Sequence, residues 1–158
     1  MWAFAGAGFA QSKVAIINLQ RAVLETAEIK KVSAELEAKF KPRQQAIEGL
    51  QKELQDIQRQ LQAGDKLTQQ AQLELSNQGT RKQKSAQRMA EDLQADVDRE
   101  RNEILSKSSQ QMQEVVKKLA EEKGWDLVVD VSNVFFFKPA LEITTEAIAA
   151  YDRKYPAK

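Results

Sequence analysis

Residues 47–61 read IEGLQKELQDIQRQL, and the apolar residues Ile47, Leu50, Leu54, Ile57 and Leu61 follow one another at intervals of 3, 4, 3 and 4. That is an a/d heptad seam, the pattern by which one helix packs along another with a left-handed twist. Nearly every position between them is Gln, Lys, Glu, Asp or Arg. The seam stops at Ala63-Gly64-Asp65, which is turn chemistry: glycine after a helix, then a small polar residue. Thr68 is placed to cap a returning helix. Ser76-Asn77-Gln78-Gly79-Thr80 is a second turn candidate, but the tip is expected near 63–68.

The return helix is expected to run to about Lys123. Its stripe includes Met89, Leu93, Val97, Ile104, Met112, Val115 and Leu119. Gly124 suits the residue just past a helix, and Lys117, Lys118 and Lys123 complement the helix dipole. Residues 76–85 contain no apolar side chain, so packing there is expected to be thin and mobile.

Upstream, residues 13–19 (KVAIINL) are short, β-branched and apolar on both faces, and read as a buried strand. From Gln20 the period turns helical through Val23, Ala27, Ile29, Val32, Leu36 and Phe40. A break or kink is expected at Phe40 to Pro42, because proline disfavours helix at the preceding residue.

After Gly124 the period drops to two. Residues 125–131 (WDLVVDV) and 134–137 (VFFF) read as two strands joined at Ser132-Asn133. Thr144 or Thr145 is placed to cap a short amphipathic helix over Ile143, Ala147, Ile148 and Tyr151.

Composition agrees with this layout. Of ten aromatic residues, only Phe40 lies between the first ten residues and Gly124, while fourteen of the nineteen glutamines lie between Gln44 and Gln94. A middle of this kind makes long exposed helices rather than an ordinary core. Lys+Arg is 24 and Asp+Glu is 23, a net charge of +1, which argues against a general nucleic-acid binder. With no Cys and no His in 158 residues, disulfides, thiol chemistry, haem or iron–sulfur ligation, histidine acid–base catalysis and the usual zinc sites are excluded. A metal site of carboxylates alone stays open. No phosphate-binding loop and no nucleophile elbow occurs, no catalytic constellation is visible and no cofactor is expected, so the chain is not read as an enzyme. No run of 18 apolar residues occurs.

Residues 1–10 (MWAFAGAGFA) resemble the end of a secretory signal, with small-x-small at Gly8-Phe9-Ala10, although a basic start is missing. Residues 1–12 are therefore read as the remnant of a signal peptide truncated at its start, with mature protein beginning near Gln11.

The expected fold class is α+β, mostly α. Residues 13–19 and 124–158 form a small three-stranded β body with a short C-terminal helix, and residues 20–123 form a long antiparallel helical hairpin, a coiled-coil arm. Such a body falls below the roughly 70–80 residues at which one small core becomes marginal. Its strands are apolar on both faces, so bodies are expected to pack on each other in an oligomer.

Four stretches carry a family resemblance: KVAIINLQRAVLET (13–26), KFKPRQQAIEGLQKELQ (39–55), LVVDVSNVFFFKPALEIT (127–144) and AIAAYDRKYP (147–156). In these the chain resembles the Skp/OmpH family of periplasmic chaperones, over nearly everything from Lys13 onward. The resemblance implies a homotrimer whose bodies form a hub, with helical hairpins hanging from it like tentacles around a cavity. It implies an ATP-independent holdase that keeps unfolded outer-membrane proteins from aggregating before delivery to the outer membrane. A departure lies in the charge. Residues 41–90 carry nine basic and five acidic side chains, and residues 91–103 carry two basic and six acidic, so charge is segregated rather than uniformly positive. The alternative is a structural coiled-coil scaffold or spacer of the cell envelope.

Ile16, Val129, Val131, Phe135, Phe136 and Phe137 are the candidate residues of the trimer body. Ile47, Leu50, Leu54, Ile57 and Leu61 are assigned to the seam of the arm. Leu73 and Leu75, on different faces of one turn, are candidate client contacts. Arg81, Lys82, Lys84 and Arg88 form a basic cluster, either a solvated face or a surface that steers acidic clients or anionic lipid. The acidic residues of 91–103 lack a calcium-loop spacing and are expected to be solvated or paired with Lys and Arg of the neighbouring helix.

Overall fold

The computed structural model describes residues 12–63 and 67–157. They form strand β1 (Val14–Ile17), helices α1 (Leu19–Leu24), α2 (Ala27–Gln62) and α3 (Gln69–Lys123), strand β2 (Leu127–Asp130) and helix α4 (Thr144–Lys154). Short 3-10 turns lie at Val131–Asn133 and Pro139–Leu141. The chain divides into two compact units: residues up to Lys31 with those from Ile104 onward, and Val32–Glu103. The signal-like leader at 1–10 and the Gly64-Asp65 turn lie outside the described residues. Residues 76–80, the second turn candidate, are helical within α3.

In the first unit β1 and β2 pair in parallel, with Val14 opposite Leu127 and Ile17 opposite Asp130. Parallel strands cannot be joined by a tight turn, so a long crossover is obligatory. Here the helices α1, α2 and α3 intervene in sequence between the two strands. Aspartates just before and at the end of β2 reach across to backbone N–H groups on either side of β1. Lys13 N–H donates to Asp126 Oδ2 (2.7 Å) and Leu19 N–H to Asp130 Oδ2 (2.9 Å). The core gathers Ala15 and Ile17 of β1, Ala22 and Val23 of α1, Ile29, Met112 and Val115 of the long helices, and Ile143, Ala147 and Tyr151 at α4. Gly124 closes α3 at φ +67°, and Trp125 N–H donates to Ala120 O (2.9 Å), the six-residue closure that glycine permits without strain.

Four expectations are corrected here. The third strand at 134–137 does not form. β2 ends at Asp130, whose side chain caps the 3-10 turn by accepting from Ser132 N–H, and the other edge of β1 is met by a single bridge, Ile16 to Glu142. The sheet therefore has two strands, and VFFF is a loop. The helix expected to run from Gln20 to Pro42 is interrupted at Glu25 and Thr26. The buried Thr26 hydroxyl donates to Val23 O (2.9 Å) and accepts from Ile29 N–H (3.3 Å), ending α1 and starting α2. Such local side-chain bonds compete with helix continuation. Neither Thr144 nor Thr145 caps α4; Ile143 holds that position without a side-chain bond, and Thr144 Oγ1 instead accepts from Asn18 N–H (2.9 Å).

The fourth correction lies in the second unit. α2 continues through Pro42 without a break. Pro42 is exposed, so the carbonyl that loses its intrahelical donor can be solvated. On either side of it, Lys39 pairs with Glu100 (2.5 Å) and Arg43 with Asp96 (2.6 Å), while Phe40 is buried beneath both cations. Tertiary bonds hold the helix where local propensity disfavours it. These pairs, with Lys82 to Glu53, run in opposite senses along α2 and α3, so the helices are antiparallel.

Ile47 and Ile57 are buried along the seam, and Leu50, Leu54 and Leu61 are half-buried. Within the apolar-free stretch 76–85 only Gly79 and Lys82 are half-buried, and the other side chains are exposed. A Cβ placed on Gly79 would lie 3.4 Å from Ile57 Cγ2, so the helices come together at a glycine instead of between two large side chains.

Candidate functional site

With the seam side chains turned inward, the surfaces left for function are an apolar loop in the first unit and one face of α3 in the second.

The loop follows from the end of β2. The Ser132 hydroxyl, then the N–H groups of Leu19 and Ser132, hold the Asp130 carboxyl below the usual carboxylate range. The chain turns through Val131–Asn133 and emerges at Phe135 and Phe136. Phe135 is fully exposed and Phe136 is 83% exposed; Phe137 is half-buried. Leu127 and Leu141 of the same unit are exposed as well. The outer edge of β2 carries no strand partner among the described residues. An open strand edge and large exposed apolar side chains in one unit are features on which another chain can pair. Of the other candidate body residues, Val129 and Val131 are half-buried, and Ile16 is only 3% exposed within the single chain. Ile16 therefore has little surface left to offer, and Phe135 and Phe136 have most.

On α3 the four-residue basic cluster divides. Lys82 turns to Glu53 of α2. Arg81, Lys84 and Arg88 are exposed. At about 100° per residue these three and Leu73 fall within roughly a quarter of the helix circumference. Leu73 is 64% exposed, whereas Leu75 is half-buried. The result is an exposed leucine one end of a basic stripe, a surface able to take an apolar segment bearing negative charge.

The acidic run is partly neutralised. Asp96 accepts from Arg43 and from Arg99 (2.7 Å), and these bonds, Arg43 foremost, hold its carboxyl below the usual range against a smaller opposing effect of desolvation. Among the described residues no cluster of acidic side chains is arranged to hold a metal ion, and no helix is long and apolar enough to cross a membrane.

Several residues that shape these surfaces escape a reading of the sequence. Asp126 and Asp130 flank an apolar run, a pattern that signals only strand ends. Thr144 suggests a cap and serves as a cross-link. Tyr151 reads as one apolar position of an amphipathic helix, yet its buried hydroxyl meets Glu28 and Gln111.

A family model described as outer membrane protein (OmpH-like) matches residues 13–151. The chaperone protein Skp of Yersinia enterocolitica is 29% identical over 149 residues, covering 91% of this chain and 88% of that protein. A Skp-like protein of Pseudomonas aeruginosa is 25% identical over 145 residues, covering 91% and 86%. Among solved structures, an OmpH-like outer membrane chaperone from Caulobacter crescentus CB15 superposes with a TM-score of 0.76, covering 100% of this chain and 94% of that one at 21% identity. At that identity the likeness speaks for the fold.

Proposed function

Because this chain belongs to the OmpH-like family, we propose that it is a periplasmic chaperone that holds unfolded outer-membrane proteins without ATP and keeps them from aggregating before delivery. The observation that carries this reading is the family match over residues 13–151, with relatives that are chaperones across nearly their whole length. We take the working form to be a homotrimer joined through the bodies, with clients held in a cavity between the helical hairpins. Export would follow from the signal-like leader.

Holding an unfolded chain needs weak, numerous and reversible contacts rather than a deep pocket, and several surfaces on one particle raise the effective concentration of each. Two features support the reading. Phe135 and Phe136 stand uncovered in the single chain, which a soluble protein tolerates best when another copy covers them. Leu73, with Arg81, Lys84 and Arg88, offers modest apolar area beside positive charge, suited to client segments or an anionic lipid surface.

The test is light scattering coupled to size-exclusion chromatography, with and without an equimolar β-barrel outer-membrane protein diluted from urea. A trimer that retains the client in a soluble complex is the expected outcome. A stable particle that leaves the client to aggregate would overturn the holdase reading and favour an envelope scaffold.

A further inference from the structure

We propose that Asp130 and Thr144 are positioning residues that hold the loop carrying Phe135 and Phe136 in the pose a second copy of this chain binds. The inference rests on the self-assembly part of the reading above and goes beyond it in naming how the surface is prepared.

The geometry begins where β1 becomes α1. Asn18 precedes the helix and Leu19 is its first residue, so their N–H groups have no intrahelical partner. Both are taken by side chains from either end of the Phe loop. Leu19 N–H donates to Asp130 Oδ2 (2.9 Å), at the end of β2, and Asn18 N–H donates to Thr144 Oγ1 (2.9 Å), at the start of α4. Residues 131–143 thus leave and return to two consecutive backbone N–H groups.

Each end is tied further. Asp130 Oδ1 accepts from Ser132 N–H (2.9 Å), and Val134 N–H donates to Val131 O (3.2 Å). On the returning side Ile143 N–H donates to Ile16 O (2.8 Å), and Arg21 pairs with Glu142 (3.2 Å). Phe135 and Phe136 project from between these ends.

Neither anchor supplies the contact surface. Thr144 is wholly buried and Asp130 is half-buried, while the exposed area belongs to the phenylalanines. Large exposed apolar groups on an unanchored loop would lose conformational entropy on binding and bind more weakly. Anchoring both ends removes that loss before the copies meet. The occupant is a second copy because the exposed surface is apolar and lies in the same unit as an open strand edge, which a like edge complements.

The experiment is sedimentation equilibrium on the full chain, comparing wild type with Asp130→Asn, Thr144→Val, Phe136→Ala and the double variant Asp130→Asn/Phe136→Ala, with far-UV circular dichroism on each. Asn retains one carbonyl acceptor and Val retains the shape of Thr, so each removes one anchoring bond with little change in volume. Both are expected to keep the wild-type helical signal and to weaken association about tenfold, whereas Asp130→Asn is expected to change association by less than about twofold once Phe136 is Ala, since a positioning residue acts through the group it positions. Equal association by wild type and both single variants would overturn the inference and leave self-assembly standing. So would equal weakening in both backgrounds, or loss of helical signal in either single variant, which would make these residues ordinary folding contacts. A wild type that stays monomeric throughout would overturn self-assembly and the inference together.

Discussion

Tyr151, wholly buried on α4, donates its hydroxyl to Glu28 Oε2 in the first turn of α2 across 2.5 Å, and Gln111 of α3 lies 2.9 Å from the same oxygen. Three helices meet at one phenol. Burial foremost, then the Glu28 carboxylate, raise its pKa above that of an ordinary tyrosine, so it stays a neutral donor at physiological pH. The neighbouring Asp152 accepts from Ala27 N–H (3.0 Å), so α4 also satisfies the first donor of α2.

Tyr151→Phe keeps the ring packing and deletes that donor, leaving the partly buried Glu28 and Gln111 without it. Destabilisation of about 1–3 kcal/mol is expected, with an unchanged helical signal. Urea denaturation followed by circular dichroism measures it. An unchanged midpoint would show that the ring alone matters.

Acid should loosen the first unit through Asp130. Its folded pKa is depressed, so the stability it contributes is present above the usual carboxylate value and is lost as pH falls through the depressed one. Wild type and Asp130→Asn should therefore differ in urea midpoint at neutral pH, and the gap should close at pH values below about 4. A gap independent of pH would assign the effect to shape rather than charge.

Gly79→Ala adds a methyl group 3.4 Å from Ile57 Cγ2, an ordinary contact, at a helical position where glycine costs up to about 1 kcal/mol relative to alanine. A higher melting temperature is expected. Gly79→Phe would set a ring at the Ile57 approach and should lower it. If both variants melt alike, the close approach at Gly79 is not what packs this part of the hairpin.

Pro42→Ala restores a missing donor inside a continuous helix. Stabilisation of the order of 1–3 kcal/mol is expected, because proline is poorly tolerated there even when exposed. Thermal denaturation decides it, and a lower melting temperature would mean that Pro42 serves the fold in a way its continuous helix does not reveal.

The sequence was most legible where one signal repeats. The 3, 4, 3, 4 spacing from Ile47 to Leu61 and the stripe of the return helix mark two long helices, because a periodic seam leaves each residue only one face to turn inward. Gly124 marks the end of α3 for a local reason, since one residue there needs a positive φ. The apolar runs after it mark a β region but not the number of strands. VFFF has strand propensity, yet Asp130 ends β2 with its own side chain and the chain turns away.

Local chemistry alone determined the helical hairpin pattern, the helix stop at Gly124 and the absence of the residues that thiol or histidine chemistry needs. Tertiary structure decided the rest, because it depends on partners far apart in the chain. Leu19 and Asp130, 111 residues apart, join the start of α1 to the start of the Phe loop. Lys39 with Glu100 and Arg43 with Asp96 carry α2 past a proline that local preference reads as a break. The sequence marks Phe135 and Phe136 as residues of an oligomer body, and only the folded chain shows how far each stands uncovered in a single copy, since hydrophobicity says that a side chain favours burial but not how much of it the chain's own fold will cover.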